Sequence, residues 1–279
     1  MNGKICVVTG ANSGIGKETA IGLARKGATV IAVCRDKSRG EAAVAEIKAA
    51  SGNPNVSLML CDLSSQASIR AFAAELTGAH PKIDVLVNNA GAIMAKRVLS
   101  EDGIELTFAL NHLGYFLLTN LLLDTLKASA PSRIINVSSE ASRMGKMDFS
   151  DLENRRFAPM RAYGRSKLAN VLFTTALARR LAGTGVTVNA VHPGAVATNF
   201  GKEWLRGPLG WLLGKLFTRF GLSAAEGAET SIYVASAPEL GGVSGEYFVK
   251  KKSAPMNPQA RDPKAQEQLW EASARLVKL

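Results

Sequence analysis

Cysteine and histidine are scarce in this chain, and their scarcity excludes two ways of building a protein. The three cysteines, Cys6, Cys34 and Cys61, each lie in or at the end of an apolar run. Cysteine in such a run behaves as a small buried hydrophobe, which argues against a disulfide scaffold and for a reducing compartment. The three histidines, His80, His112 and His192, are too few and too dispersed for a metal site. No uninterrupted apolar run reaches the roughly 18 residues of a spanning helix. No signal peptide opens the chain, because a strand-like run begins almost at Met1. No Pro-, Gly- or Ser-rich linker divides the 279 residues and no period repeats, so one domain, 1–279, with one substantial core is expected. Acidic residues are the minority, 23 against 34 Lys and Arg, for a formal charge of +11. The basic residues are scattered apart from the run Lys250–Lys252, with no finger spacing and no arginine-rich tail. That pattern speaks against nucleic acid and fits a phosphate-bearing ligand or an anionic membrane surface.

What is present is an alternation. The β-rich runs "KICVVTG" and "TVIAVCR" enclose the helical "GKETAIGLARKG". "VSLMLCD" precedes "QASIRAFAAEL", and "IDVLVNNAG" precedes the long apolar-faced "GIELTFALNHLGYFLLTNLLLDTL". "SRIINVSS", a helix carrying Tyr163 and Lys167, and "VTVNAVHPG" follow, and "AEGAETSIYVAS" and "SGEYFV" come late. Short continuous apolar strands separated by helices indicate an α/β fold whose mostly parallel sheet is covered on both faces. About seven strands are expected, the seventh at Gly245–Val249. Two segments break the rhythm, 140–162 and 199–222. Long loops in a compact domain are usually functional.

The first turn carries the first chemical signal. "VVTGANSGIGKETA" follows a strand and opens a helix, with Gly10, Gly14 and Gly16 at the turn. Glycine lets backbone approach a ligand closely, and the helix N-terminus offers unpaired N–H groups to a pyrophosphate. Within a βαβ unit this spacing points to a dinucleotide. An ATPase-type loop is excluded, since Lys17 is followed by Glu18 rather than by Ser or Thr. At the end of the second strand, Arg35 precedes Asp36. An arginine there accommodates the 2′-phosphate of NADP(H), whereas an acid would hold the ribose of NAD(H). Arg35, aided by Arg39 or Ser13, favours NADP(H); Asp36 keeps NAD(H) as the alternative.

The second signal is "AYGRSKLAN", which sets Tyr163 and Lys167 four residues apart on one face of a helix. With the glycine loop and "NNAG" ahead of this pair, the sequence resembles the short-chain dehydrogenase/reductase family over nearly its whole length. It is most similar to the retinol-dehydrogenase-like branch. The segments that carry this are "TGANSGIGKETA", "CRD", "CDLSS", "LVNNAG", "NHLGYFLLT", "SRIINVSS", "YGRSKLAN", "GTGVTVNAVHPGAVAT" and "SGEYF". The resemblance implies a Rossmann-type doubly wound sheet and reversible hydride transfer between NAD(P)(H) and an alcohol or carbonyl. It places the catalytic set on Asn111, Ser139, Tyr163 and Lys167. For the cofactor it implies Gly10, Asn12, Ser13, Gly14, Ile15 and Gly16 in the turn, and Arg35 beyond the second strand. Asp62 and Leu63 would lie at the adenine, and Asn88, Asn89, Ala90 and Gly91 in the turn beside its ribose. Pro193, Gly194, Val196 and Thr198 would lie at the nicotinamide, with Tyr163 and Lys167 also touching cofactor. No metal is implied.

The chemistry explains the residue types. Hydride transfer needs a base for oxidation and an acid for reduction. A free phenol is a poor base at neutral pH, and an adjacent ammonium together with a positive nicotinamide ring would lower its pKa. Ser139 would donate to the substrate oxygen as charge develops. Asn111 would order a water leading from Lys167 to solvent, and His192 reads as a structural hydrogen-bonder. Substrate selection is expected from 140–162, from Ile93–Arg97 and from 199–222, where Trp204, Trp211, Phe217 and Phe220 supply apolar area between basic residues. That last segment reads as a lid over a small lipophilic alcohol or carbonyl compound, as an interfacial helix on a membrane, or as ordinary core. The expected protein is cytoplasmic, with membrane association through 199–222 as the variant. As the family commonly assembles, a homodimer or homotetramer would form through the helices carrying Asn111 and Tyr163. The rival class is a non-catalytic dinucleotide sensor, against which the complete catalytic set argues.

Overall fold

The computed structural model describes residues 1–194, 196 and 221–279. Each short apolar run becomes a strand: β1 (Ile5–Thr9), β2 (Thr29–Cys34), β3 (Val56–Leu60), β4 (Val85–Asn88), β5 (Ser132–Val137), β6 (Val186–His192) and β7 (Tyr247–Val249). Between them run α1 (Gly14–Arg25), α2 (Lys37–Ser51), α3 (Gln66–Ala79), α4 (Leu106–Phe108), α5 (Gly114–Leu121), α6 (Leu123–Ala128), α7 (Ala141–Met144) and α8 (Pro159–Arg180). The helices α9 (Ala224–Ser236) and α10 (Pro263–Val277) and a short strand β8 (Lys252–Ser253) lie in the C-terminal part.

The strands form one sheet in the order β3-β2-β1-β4-β5-β6-β7-β8. Neighbours from β3 to β7 are parallel, and the chain reverses direction across the sheet between β1 and β4. Such a reversal opens a crevice at the carboxyl ends of the strands, where ligands of doubly wound folds bind. Alternate side chains serve opposite layers. In β1, Val7 packs with Ile31, Leu86, Ile134 and Val188 on one face. Cys6 and Val8 pack with Val30, Ala32, Val85 and Ile135 on the other. All three cysteines are buried and free.

The structure adds an eighth strand to the seven expected. β8 (Lys252–Ser253) pairs antiparallel with β7. Two residues are too few to show a period, so only the turn could have announced it. That turn is the basic run itself: Lys250 and Lys251 take φ of 49° and 64°, and Lys251 pairs with Glu229 at 2.7 Å. The long apolar-faced segment is helical but interrupted. A π-helical turn, Ala109–Leu113, separates α4 from α5, and Leu122 separates α5 from α6.

The last helix decides what surrounds the middle of the molecule. α10 packs on α8 and α5. Trp270 meets Phe116 edge-on at 5.0 Å, and the Arg180 guanidinium lies 3.9 Å from the Trp270 ring centroid. Arg180 also forks onto Glu267 at 2.7 and 2.8 Å. The helices expected to carry subunit contacts are thus covered, over this face, by the same chain.

Candidate active site

Two turns face each other across the crevice, one after β1 and one after β4. Gly10 takes φ of +67°, where a side chain is strained, and a Cβ there would stand 2.9 Å from Ala90 Cα. A Cβ on Gly16 would meet the Gly10 carbonyl oxygen at 2.3 Å and Asn89 Nδ2 at 2.4 Å. The turns are laced together by Thr9. Its hydroxyl accepts from the Asn89 and Ala90 N–H groups at 2.8 and 3.1 Å, and its carbonyl accepts from the Asn89 amide at 2.7 Å. Asn89 thus serves the protein's own backbone. Asn88 lies wholly inside, donating to Thr119 and Asn136 at 2.9 Å each, and braces the sheet.

The start of α1 is suited to an anion. Ser13, at its N-cap, makes no side-chain cap bond, and no acidic residue occupies the first turn. By contrast α2 is capped by Asp36 and α3 by Ser65. With Gly10 and Gly16 holding the backbone bare of side chains, the residues present fit a pyrophosphate of a dinucleotide at this point. Farther out, Arg35 is exposed, with Nη1 3.7 Å from an Asp62 carboxylate oxygen. Asp36 accepts from the Arg39 N–H at 2.8 Å. Asp62 is held by the N–H and hydroxyl of Ser64 at 2.9 and 2.6 Å, and Leu63 beside it is buried.

The four expected catalytic residues converge from three elements. β5 ends at Val137, whose carbonyl accepts from Lys167 Nζ at 3.0 Å. Two residues later Ser139 shares a side-chain hydrogen bond with Tyr163. Lys167 Nζ lies 5.8 Å from the Tyr163 ring centroid and 5.6 Å from that of Tyr115. Asn111, in the π turn, grips the loop after β4. Its Oδ1 accepts from the Ala92 N–H at 2.8 Å, and its amide donates to Ala92 O at 2.9 Å and Ser166 Oγ at 3.0 Å. Ser166 passes the contact on to the Tyr163 carbonyl at 2.8 Å. Gly91 closes the group, since a Cβ on it would stand 3.0 Å from Asn111 Oδ1 and 3.3 Å from Lys167 Nζ.

Burial governs the protons here. It pushes the Tyr163 phenol up to about 12, against the lowering effect of the Ser139 bond and with a further rise from Tyr247. It brings the Lys167 ammonium down to about 7. Within the chain alone, desolvation of the phenol thus outweighs the groups that would lower it. Lys167 is too dry to hold a full charge at neutral pH, which weakens its pull on the phenol. Desolvation at this site favours the protonated, acid form of the phenol.

The segment 140–162, read as a mixed polar connection with helical interludes, contains such interludes. α7 occupies part of it, and α8 begins at Pro159, before Ala162. The rest is pinned. Asn257 donates to the carbonyls of Ser142, Arg143 and Gly145 at 3.2, 3.1 and 2.9 Å, and Gln259 accepts from the Met147 N–H at 2.9 Å. The buried Glu105 accepts from Asn154 at 2.9 Å, and Arg165 bonds the Asp151 carbonyl. These bonds tie the segment to distant parts of the chain. Opposite it, Pro193 and Gly194 leave β6, Gly194 with φ of +91°, and Val196 bridges to Leu222 and packs near Ile15 and Gly227. His192 accepts from the Gly194 N–H at 3.3 Å and lies 3.6 Å from Glu140. Thr198 and nearly all of 199–222 lie outside the described residues.

Several participants escaped the sequence reading. Tyr247 donates to the Ser139 carbonyl at 3.2 Å, fixing the serine from behind. Ser166 and Asn170 stand inside the quoted "YGRSKLAN". Tyr115 follows Asn111 by four residues, the same spacing that drew attention to Tyr163 and Lys167.

A glycine-built dinucleotide crevice beside a serine, a phenol and an ammonium serves hydride transfer to and from a nicotinamide, and that defines the class as NAD(P)(H)-dependent oxidoreductase. The chain belongs to the short-chain dehydrogenase family, whose sequence profile matches residues 4–208. It falls in the retinol-dehydrogenase-like branch. It is 47% identical to human retinol dehydrogenase 13 over 289 residues, spanning 99% of this chain and 85% of that protein. Among solved structures, a Mycobacterium paratuberculosis protein matches with a TM-score of 0.80 and 36% identity, over 99% of this chain and 94% of that one. The Pseudomonas aeruginosa RhlG/NADP active-site complex matches with a TM-score of 0.72 and 28% identity, over 89% and 94%.

Proposed function

We propose that the protein uses NADPH to reduce a lipophilic aldehyde or ketone to its alcohol. The observation that carries this reading is the side-chain hydrogen bond between Ser139 and Tyr163, with desolvation raising the phenol and so favouring its acid form. In this reading Ser139 donates to the carbonyl oxygen and Tyr163 gives it a proton as the carbon is reduced. Lys167, held on the Val137 carbonyl, lies where it can replenish that proton and hold the nicotinamide ribose. Asn111 fixes the Tyr163 turn through Ser166 and keeps the Gly91 loop against Lys167. When bound, the reduced cofactor supplies the hydride. Gly10, Asn12, Ser13, Gly14, Ile15 and Gly16 would hold its pyrophosphate, Asp62 and Leu63 its adenine, Asn89, Ala90 and Gly91 the adjoining ribose, and Pro193, Gly194, Val196 and Thr198 its nicotinamide.

The preference for NADP(H) over NAD(H) is supported by a division of labour after β2. Asp36 is engaged in capping α2, while Arg35 stays exposed, with only a 3.7 Å pairing to Asp62 to give up on meeting a 2′-phosphate. A relative of this fold is known with NADP in its active site. The lipophilic substrate is supported by the retinol dehydrogenase named above, and by Met144 and Met160, exposed by 83% and 44% near the start of α8. The segment 199–222 would cover that substrate or rest on a membrane surface. A homodimer or homotetramer would use faces other than the one α10 occupies.

The test is a fluorescence titration with NADPH and NADH on the natural protein and on Arg35→Ala, followed by reduction assays over a panel of aldehydes. NADPH should bind more tightly, and Arg35→Ala should weaken NADPH about tenfold or more while leaving NADH nearly unchanged. Equal or tighter NADH binding would sink the assignment of Arg35 and return the ribose to Asp36.

A further inference from the structure

The geometry points to His112 as a positioning residue, through which the C-terminal helix α10 is joined to the reaction centre. The inference rests on the catalytic assignment of Asn111 and Tyr163 proposed above. His112 takes no part in that chemistry, yet it is wholly buried and bonded at both ring nitrogens. Nε2 lies 2.9 Å from Ser273 Oγ on α10, and Nδ1 lies 3.2 Å from Asn170 Oδ1 on α8. The Asn170 amide in turn donates to the Asn111 carbonyl at 2.9 Å.

The direction of these bonds follows from their ends. Asn170 gives its N–H to the Asn111 carbonyl, so its oxygen is the atom that faces His112, and an amide oxygen only accepts. Nδ1 must then carry the proton. A neutral imidazole protonated at Nδ1 accepts at Nε2, and the Ser273 hydroxyl must donate. Burial holds the ring neutral, its pKa lowered to about 4, among Phe108, Phe116 and Phe173 at centroid distances of 5.1, 6.3 and 6.2 Å. Every donor in the series Ser273, His112, Asn170 points toward Asn111, and bonds aligned in this way polarise one another.

A second series meets the first from the sheet. Asn88 donates to Asn136, Asn136 to Thr174, and Thr174 to the Asn170 carbonyl, at 2.9, 2.9 and 2.8 Å. The sheet thus reaches the backbone of Asn170 through Thr174, while its side chain is held by His112 and the Asn111 carbonyl. The target is a π turn, a form that recurs at functional sites and whose wider winding departs from the usual helical bonding. Here the Asn111 carbonyl takes a side-chain donor. From Asn111 the contact continues through Ser166 to the backbone of Tyr163. The series thus begins on the last helix and ends one peptide from the acid.

The test separates hydrogen bonding from mere packing. His112→Asn keeps a donor near the place of Nδ1, whereas His112→Leu has nearly the same shape and no donor. Both are compared with the natural protein for kcat and KM, using NADPH and the aldehyde reduced fastest in the panel above. His112→Leu should lower kcat about tenfold, with NADPH affinity within about twofold of normal, as expected of a misplaced catalytic group. His112→Asn should recover most of that loss. Ser273→Ala, a small change suited to the case where His112→Leu does not fold, should lower kcat about threefold. Equal losses in His112→Asn and His112→Leu, or no loss in His112→Leu and Ser273→Ala, would overturn the inference. Asn111→Ala is measured alongside. If it keeps full activity, the catalytic assignment of Asn111 fails and takes the inference with it. If it is inactive while His112→Leu and Ser273→Ala are normal, the inference alone fails.

Discussion

The two helices that present the site, α1 and α8, are built in opposite ways. α1 works by omission: glycines where it approaches β1 and β4, no cap side chain, and no acid in its first turn. α8 works by crowding. From Gly164 to Thr174 every residue is buried, including Arg165, Ser166, Lys167, Asn170 and Thr174. A ligand that arrives from solution needs backbone N–H groups left open for it. A proton donor that stays with the protein must be held in one place and kept dry, and side chains do that.

The comparison is tested hardest at the phenol. Tyr163→Phe keeps the ring and removes the proton, and kcat/KM should fall about 10³-fold while NADPH affinity stays within about twofold. A fall of less than tenfold would mean that another group supplies the proton.

Crowding the open helix is the next test. Gly16→Val places atoms 2.3 Å from the Gly10 carbonyl oxygen, a backbone atom that cannot step aside. Cofactor binding should weaken about 100-fold, read by fluorescence titration, with the midpoint of thermal unfolding lowered as well. Unchanged affinity would show that the close approach of these turns is not needed for the ligand.

Relieving the crowded helix gives the smallest change in stability, and one of the opposite sign. The folded-state pKa of Lys167, about 7, lies below its ordinary 10.5. The unfolded chain therefore binds the proton more tightly, so this lysine leaves stability intact above pH 10.5 and removes it as pH falls toward 7. Lys167→Met should abolish turnover yet raise Tm at pH 7 by about 5 °C, reflecting a few kcal/mol, and the advantage should shrink as pH approaches 10. A lower Tm at pH 7 would mean that the Val137 carbonyl and the two aromatic rings compensate the buried charge in full.

The same contrast explains what could be read from the sequence. Omission leaves a local signature. Gly10, Gly14 and Gly16 stand together, and the strands around them are continuous apolar runs because parallel strands are covered on both faces. Tyr163 and Lys167 were legible for a similar reason, since four residues on a helix mean one face. The hydrogen bonds beneath α8 join residues 58 and 161 positions apart in His112–Asn170 and His112–Ser273, and no local spacing announces such pairs. Tyr115 could have been found by the rule applied to Tyr163. The pinning of 140–162 depended on Glu105, Asn257 and Gln259, each distant in sequence from the segment it holds. The protonation of Tyr163 depended on burial, which spacing alone does not report.

The coverage of α5 and α8 by α10 also bears on how the protein comes into being. The fifteen residues Pro263–Val277 follow every strand in the chain and are translated after all of them. Until they dock, the flank of Phe116 and Phe173 has no Trp270 against it, and His112 has no Ser273. The packing behind the reaction centre is thus finished late, and a message cut short within this helix removes the cover of α5 and α8 and the partner of His112.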